Sequence, residues 1–149
     1  MLALEIGDTY GYLLGDWRIE RTFSDHWLRE TGVLHGTVTV VPDRSGDRPT
    51  AYYDEVGELR IGSYRGTAHR RLRFVRQLGG AVTVTFEDGR RFVACDLRAG
   101  SCDATHLCGD DRYEISWDVH SRDAVSERWR VRGPCKDYEA SAVLHRLPG

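Results

Sequence analysis

Between His106 and Trp117 the chain reads HLCGDDRYEISW, which gathers a histidine, a thiol, two adjacent carboxylates and a phenol. Those residue types suit three chemistries. As metal ligands, His106 and Cys108 stand as H-x-C with Asp111 three residues further on, a set that zinc or iron accepts. Ligands two apart on one extended segment need partners elsewhere, however, and no second paired Cys or His cluster is present. No metal is therefore expected. Haem held by one histidine, His106 or His69, is a related option. As a nucleophile, Cys108 needs an adjacent base and a depressed pKa. In a strand His106 would share its face, but Gly109 points to a turn, and Cys108 then reads as a small buried hydrophobe. General acid–base work fits best. A histidine suits proton transfer near neutral pH, and Asp111 could orient and polarise His106. Tyr113 could donate to a developing oxyanion, with Lys136 or Arg21 stabilising negative charge. The competing reading makes His106 a loop cap bonded to a backbone group.

Such residues need elements to hold them. From Trp17 the apolar pattern has period two, as in WRIERTF, and strand-like runs follow at GVLHGTVTVV, TAYYDEVGEL, YRGTAHRRLRFVRQ, AVTVTF, RRFVACDL, RYEISWDV, AVSERWRV and DYEASAVLHRL. Turn signals separate them: PDRSGDRP, LGG, EDGR, RAGSCDA, HSRD and RGP. EDGR between AVTVTF and RRFVACDL predicts a hairpin, since Asp-Gly takes the positive φ of a tight turn. One helical turn is predicted over 8–14, with Asp8 as N-cap and Gly15 as the stop. The pattern predicts an all-β chain: an antiparallel up-and-down β-barrel of about eight to ten strands, preferred to a sandwich because closure leaves no open edges.

Parity then sorts the side chains. In RYEISWDV the inner set is Tyr113, Ile115, Trp117 and Val119, with Asp111 at its start. In AVSERWRV it is Val125, Glu127, Trp129 and Val131. Tyr138, Ala140, Ala142, Leu144 and Arg146 share a face in the last strand, with Lys136 ahead of them. The same rule puts Arg21, Tyr53, Glu55, Arg70 and Asp96 inside. Buried charges must pair, reach water or line a wet pocket, so two readings stand open. Either the acids and arginines brace the barrel, or they anchor a ligand among the aromatic walls of Tyr53, Trp117, Trp129 and Tyr138. A barrel of about eight strands is just wide enough for one small ligand.

The chain has 149 residues, which suits a single domain over residues 1–149. Its net charge of −2 gives no reason to expect nucleic acid or an anionic membrane as partner. The N-terminal run MLALEIGDTYGYLLGDW lacks a basic region and is interrupted by acids, so it reads as neither a signal peptide nor a membrane span. Cys95, Cys102, Cys108 and Cys135 include no C-x-x-C pair and suit free thiols in the reducing cytosol, with a Cys102–Cys108 bridge as the alternative. A homodimer is compatible with the sequence.

Gly15-Asp16-Trp17 opens the first strand and Arg146 lies near the end of the last. This pairing resembles the G-x-W signature of the lipocalins and the wider calycin group, in which the resemblance implies an arginine packed across the tryptophan at one end of the barrel. More extensively, LLGDWRIER, YYDEVGEL, FEDGRRF, HLCGDDRYEISW and GPCKDY through HR resemble a family of short lipocalin-like bacterial proteins catalogued as a domain of unknown function. The resemblance maps its hallmark positions onto Trp17, Arg21, Glu55, Gly57, His106, Cys108, Asp111, Tyr113, Trp129, Gly133, Pro134, Lys136, Tyr138 and Arg146. Val93 stands where a second histidine would be expected in relatives. The resemblance implies a calycin-like barrel and no established activity, so function must be argued from side chains.

The expectation is a cofactor-independent enzyme of isomerase, cyclase or lyase type, acting on a small, largely apolar molecule with a carbonyl or carboxylate. His106, Asp111, Tyr113 and Lys136 would form the catalytic set. Arg21, Tyr53, Glu55, Arg70, Trp117, Glu127, Trp129 and Tyr138 would bind substrate. The alternative is a non-catalytic carrier of a small hydrophobic ligand or haem.

Overall fold

Alternation from Trp17 onward becomes ten antiparallel strands in the computed structural model, which describes residues 6–149. Residues 1–5, the start of the N-terminal run, lie outside the described residues. A helix α1 (Thr9–Leu13) precedes β1 (Gly15–Asp25), β2 (Glu30–Asp43), β3 (Thr50–Ile61), β4 (Tyr64–Arg76), β5 (Val82–Thr85), β6 (Arg91–Cys95), β7 (Ser101–Cys108), β8 (Asp111–Ser121), β9 (Ala124–Gly133) and β10 (Lys136–Arg146). The sheet order is β6-β5-β4-β3-β2-β1-β10-β9-β8-β7. Each strand thus pairs with its chain neighbour, and β1 also pairs with β10, from Trp17 opposite Arg146 to Asp25 opposite Tyr138. The sheet rolls until its edges, β6 and β7, meet. No backbone ladder joins them among the described residues, so the barrel is nearly closed.

Helix α1 plugs one end. Asp8 is its N-cap as expected, accepting from Gly11 N at 3.1 Å, and Gly15 ends the segment with φ +125°, which favours glycine. Thr9 is buried and accepts from Leu97 N at 2.9 Å. Trp17 is 1% exposed beneath the helix, and Arg146 lies 4.1 Å over its ring. The same guanidinium donates to Leu14 O at 2.8 Å, Tyr12 O at 2.7 Å and Arg122 O at 3.0 Å. That is the arginine-over-tryptophan closure expected from the chain ends.

The EDGR hairpin forms between β5 and β6. Gly89 takes φ +89°, and Phe86 N donates to Arg90 O at 2.9 Å. The opposite end, toward which the β7–β8 and β9–β10 turns point, is the mouth of the barrel.

Three expectations are corrected. Residues 101–104, the second half of the RAGSCDA turn signal, belong to strand β7, and His106 in the same strand is barrel wall rather than a loop cap. Asp96 points outward and pairs with Arg98 at 2.7 Å. Alternate counting from Phe92 puts it inside, but the β5–β6 register shifts between Val84 and Thr85, and both Phe92 and Val93 are buried. That bulge resets the parity, so Val93, Cys95 and Leu97 face in. Finally, Cys108 is exposed rather than buried, and Cys102 and Cys108 stand at opposite ends of one strand and cannot bridge.

Candidate functional site

Inward parity brings the polar residues of β1, β3, β4 and β9 to one level of the barrel. Arg21 donates to both oxygens of Glu55, at 2.7 and 3.0 Å, and to Glu127 Oε1 at 3.1 Å. Tyr53 donates to Glu55 at 2.6 Å and Trp117 Nε1 donates to Glu127 at 3.1 Å. Burial alone would raise the Glu55 carboxyl, but hydrogen bonds from Arg21 and the charge of Arg70 hold it below its ordinary value. Burial holds the Tyr53 phenol well above its ordinary value. This part of the network braces the barrel, as one of the two readings required. Arg21 has its donors committed to protein carboxylates, which corrects its role as anion anchor.

Arg70 differs. It approaches Glu55 at 3.5 Å and Glu127 at 3.9 Å, and its guanidinium lies 4.9 Å over the Trp129 ring and 5.9 Å over Tyr53. Among the described residues it makes no hydrogen bond within normal limits, and its Nε is buried without a partner. The side chain is nevertheless 30% exposed, so it is reachable. Trp129 Nε1 is a second buried donor without a partner. Both residues line an internal cavity of about 60 Å³ whose other walls are mainly apolar, among them Leu72, Phe74 and Val125. The expected ligand-sized interior is thus largely filled by aromatic side chains. A drug-sized molecule needs roughly 300–1,000 Å³, so one enters only if those side chains move.

Towards the mouth lies a second group. Lys136 Nζ donates to Tyr113 Oη at 2.9 Å and pairs with Asp111 at 3.2 Å. The hydrogen bonds to Tyr113 and Asp111 hold the lysine firmly protonated. Gly133 makes this possible, because a Cβ there would collide with the Asp111 carboxylate. His106 stands opposite Tyr113 in the β7–β8 register, with ring centroids 5.8 Å apart, and packs edge-on against Phe92 at 5.0 Å and Phe86 at 6.3 Å. Asp111 is committed to Lys136 rather than to His106, so the expected His106–Asp111 dyad does not form. Trp129 joins the two levels, 6.3 Å from Tyr113 and 5.3 Å from Phe92. Tyr138, whose phenol is raised by burial, is half-buried on β10 beside the same mouth.

A lysine donating to a phenol oxygen leaves the phenol proton available to another acceptor. His106 places an imidazole nearby. His69 lies on the outer face against Asp54, away from the interior, which removes it as an internal haem ligand. Among the described residues no three His, Cys, Asp or Glu side chains converge as a metal site would require. No helix there is long and apolar enough to cross a membrane. Sequence reasoning missed Phe86 and Phe92, which cover His106. Phe92 enters through the bulge, for which period-two counting carries no signal.

No curated protein matches this sequence. Among solved structures, the chain is similar to the S-type phycobiliprotein lyase CPES from Guillardia theta, with TM-score 0.72 and 7% identity over 98% of this chain and 94% of that one. It is also similar to a protein of unknown function from the DUF3598 family of Nostoc punctiforme, with TM-score 0.58 and 14% identity, covering 99% of this chain and 51% of that one. At such identities these likenesses speak to the fold, a lipocalin-like barrel. Residues 13–146 match the model of a family of unknown function, DUF6314, and the chain belongs to that family.

Proposed function

We propose that this DUF6314 member binds a small, largely apolar organic acid, or a carbonyl compound of similar shape, at the mouth of its barrel and transforms it without a cofactor in the cytosol. One observation carries the reading: Arg70, a reachable arginine inside the barrel, has a buried Nε with no protein partner. A guanidinium in this state favours a carboxylate, to which it offers paired donors. The carboxylate sits on Arg70 with Trp129 Nε1 as a second donor, and the apolar body of the ligand lies against Phe92, Trp129 and Tyr138. Phe86 and Phe92 give way on entry, because the short hairpin that carries them is laddered only to β4.

Tyr113, supported by Lys136 and Asp111, then donates a proton to the developing oxyanion. His106 removes one from carbon, and the aromatic walls set the ligand's shape for isomerisation, cyclisation or elimination. A barrel shared with a phycobiliprotein lyase accords with lyase chemistry. The carrier reading stands beside this one, since Arg70 would anchor cargo equally well.

The test is a panel of aromatic and aliphatic carboxylates with their methyl esters, scored by thermal shift on wild type and Arg70→Met. Acids should stabilise the wild type, esters much less, and the variant should lose the preference. Equal response to acid and ester, or an unchanged preference in Arg70→Met, would overturn the anchor. With a binding acid in hand, His106→Ala and Tyr113→Phe separate enzyme from carrier.

A further inference from the structure

The two edges of the rolled sheet meet at β6 and β7, and each carries a cysteine. Cys95 ends β6 and is 3% exposed; Cys102, near the start of β7, is half-buried. Asp96 N donates to Cys102 Sγ at 3.4 Å, and the Cys102 thiol lies 3.9 Å from Ala94 O. Those backbone groups flank Cys95, so Cys102 Sγ sits beside it across the seam. Elsewhere this seam is held by side-chain packing, such as Phe92 against His106 near the mouth.

We propose that Cys95 and Cys102 are a reversible dithiol–disulfide pair that fastens β6 to β7 in response to a small-molecule disulfide such as oxidised glutathione. Cys102 is the attacking thiol: the neighbouring Cys95 thiol and the Asp96 N–H bring it to about 7 against opposing burial, while Cys95 is held high by the neighbouring thiol and by burial. The charged groups beside Cys102 are Asp96 and Asp103, both of which oppose the lowering. The Cys102 thiolate attacks one sulfur of the oxidant, forming a mixed disulfide and expelling one thiolate. The Cys95 sulfur, giving up its proton, then attacks Cys102 Sγ and expels the second thiolate. The two thiol protons end on the two released thiolates, so the oxidant is reduced to two thiols and the protein gains one S–S bond. Closure needs no long travel, since Cys102 Sγ already lies 3.4 Å from the backbone N–H that follows Cys95.

Cys108 and Cys135 are exposed and outside this pair, so the test uses Cys108→Ser/Cys135→Ser protein incubated with oxidised glutathione. Intact mass should fall by two hydrogens, peptide mapping should join Cys95 to Cys102, and dithiothreitol should reverse both. In the added Cys95→Ser variant, a glutathione adduct should persist on Cys102. Should that variant fail to fold, the pH profile of iodoacetamide labelling at Cys102 in the parent protein gives a second readout, with its midpoint near 7. A lasting glutathione adduct without internal bond in the parent protein, no oxidation at all, or labelling with the midpoint of an ordinary thiol at about 8.5 would overturn the proposal.

Discussion

At the scale of single residues, two inward-facing arginines, Arg21 on β1 and Arg70 on β4, have opposite fates. Arg21 is wrapped by Glu55 and Glu127, whereas Arg70 is stacked on Trp129 with donors to spare. Arg21→Met should therefore destabilise the fold by about 3–5 kcal/mol, because it leaves buried carboxylates uncompensated. Denaturant unfolding measures this. Arg70→Met should cost far less stability and show its effect in ligand binding instead. At the mouth, Tyr113→Phe should lower turnover of a bound acid by roughly 10²–10⁴-fold, the range for a lost general acid, with affinity retained. His106→Ala should behave likewise. Unchanged turnover in both variants would remove Tyr113 and His106 from the chemistry, whereas binding of the acid without any turnover by the wild type would leave the carrier reading in possession of the site. Parity placed Arg21, Glu55, Arg70, Glu127 and Tyr113 correctly on the inner face, because their strands alternate cleanly. It could not say which charges satisfy one another, since that depends on the angle between strands distant in sequence.

At the scale of elements, the misread segment is instructive. Strand β7 presents Cys102, Ala104 and His106 inward, residues too small or too polar to register as an apolar repeat. Its pairing with β8, from Ser101 opposite Asp118 to Cys108 opposite Asp111, made it a strand regardless. The bulge at Phe92 is equally silent in the sequence, and it moved Asp96 from the inside to the surface. By contrast, the hairpin at Gly89 and the helix cap at Asp8 were legible, because both rest on local backbone chemistry. Gly36 and Gly57 stand opposite one another in β2 and β3. A Cβ on Gly36 would meet the Val56 carbonyl oxygen and come within 2.7 Å of Gly57 Cα. Gly36→Ala should accordingly cost about 1–3 kcal/mol, the range for overpacking, seen as a lower midpoint in thermal unfolding. Gly46→Ala, with open space around it, is the matched control.

At the scale of the whole molecule, the closed end is packed shut and the mouth carries the proposed chemistry. Helix α1, Trp17 and Arg146 lock one end, and the chain termini matter to the fold for that reason. Stability should also depend on pH through the buried network. The Glu55 carboxyl lies below its ordinary value of 4.5. Its contribution is thus complete above about that pH and is lost as pH falls through its lower folded value. Unfolding free energy should decline with acid in that window, and Glu55→Gln should be less stable at neutral pH with a flatter acid decline.

The central claim is that Arg70 receives the carboxylate of an organic acid. Its most direct test is the Nε–H signal of Arg70 in ¹H–¹⁵N spectra, assigned by its disappearance in Arg70→Lys. Titration with an acid that stabilises the protein should shift this signal, and the corresponding methyl ester should leave it in place. An acid that binds while the Arg70 signal stays unmoved would contradict the account.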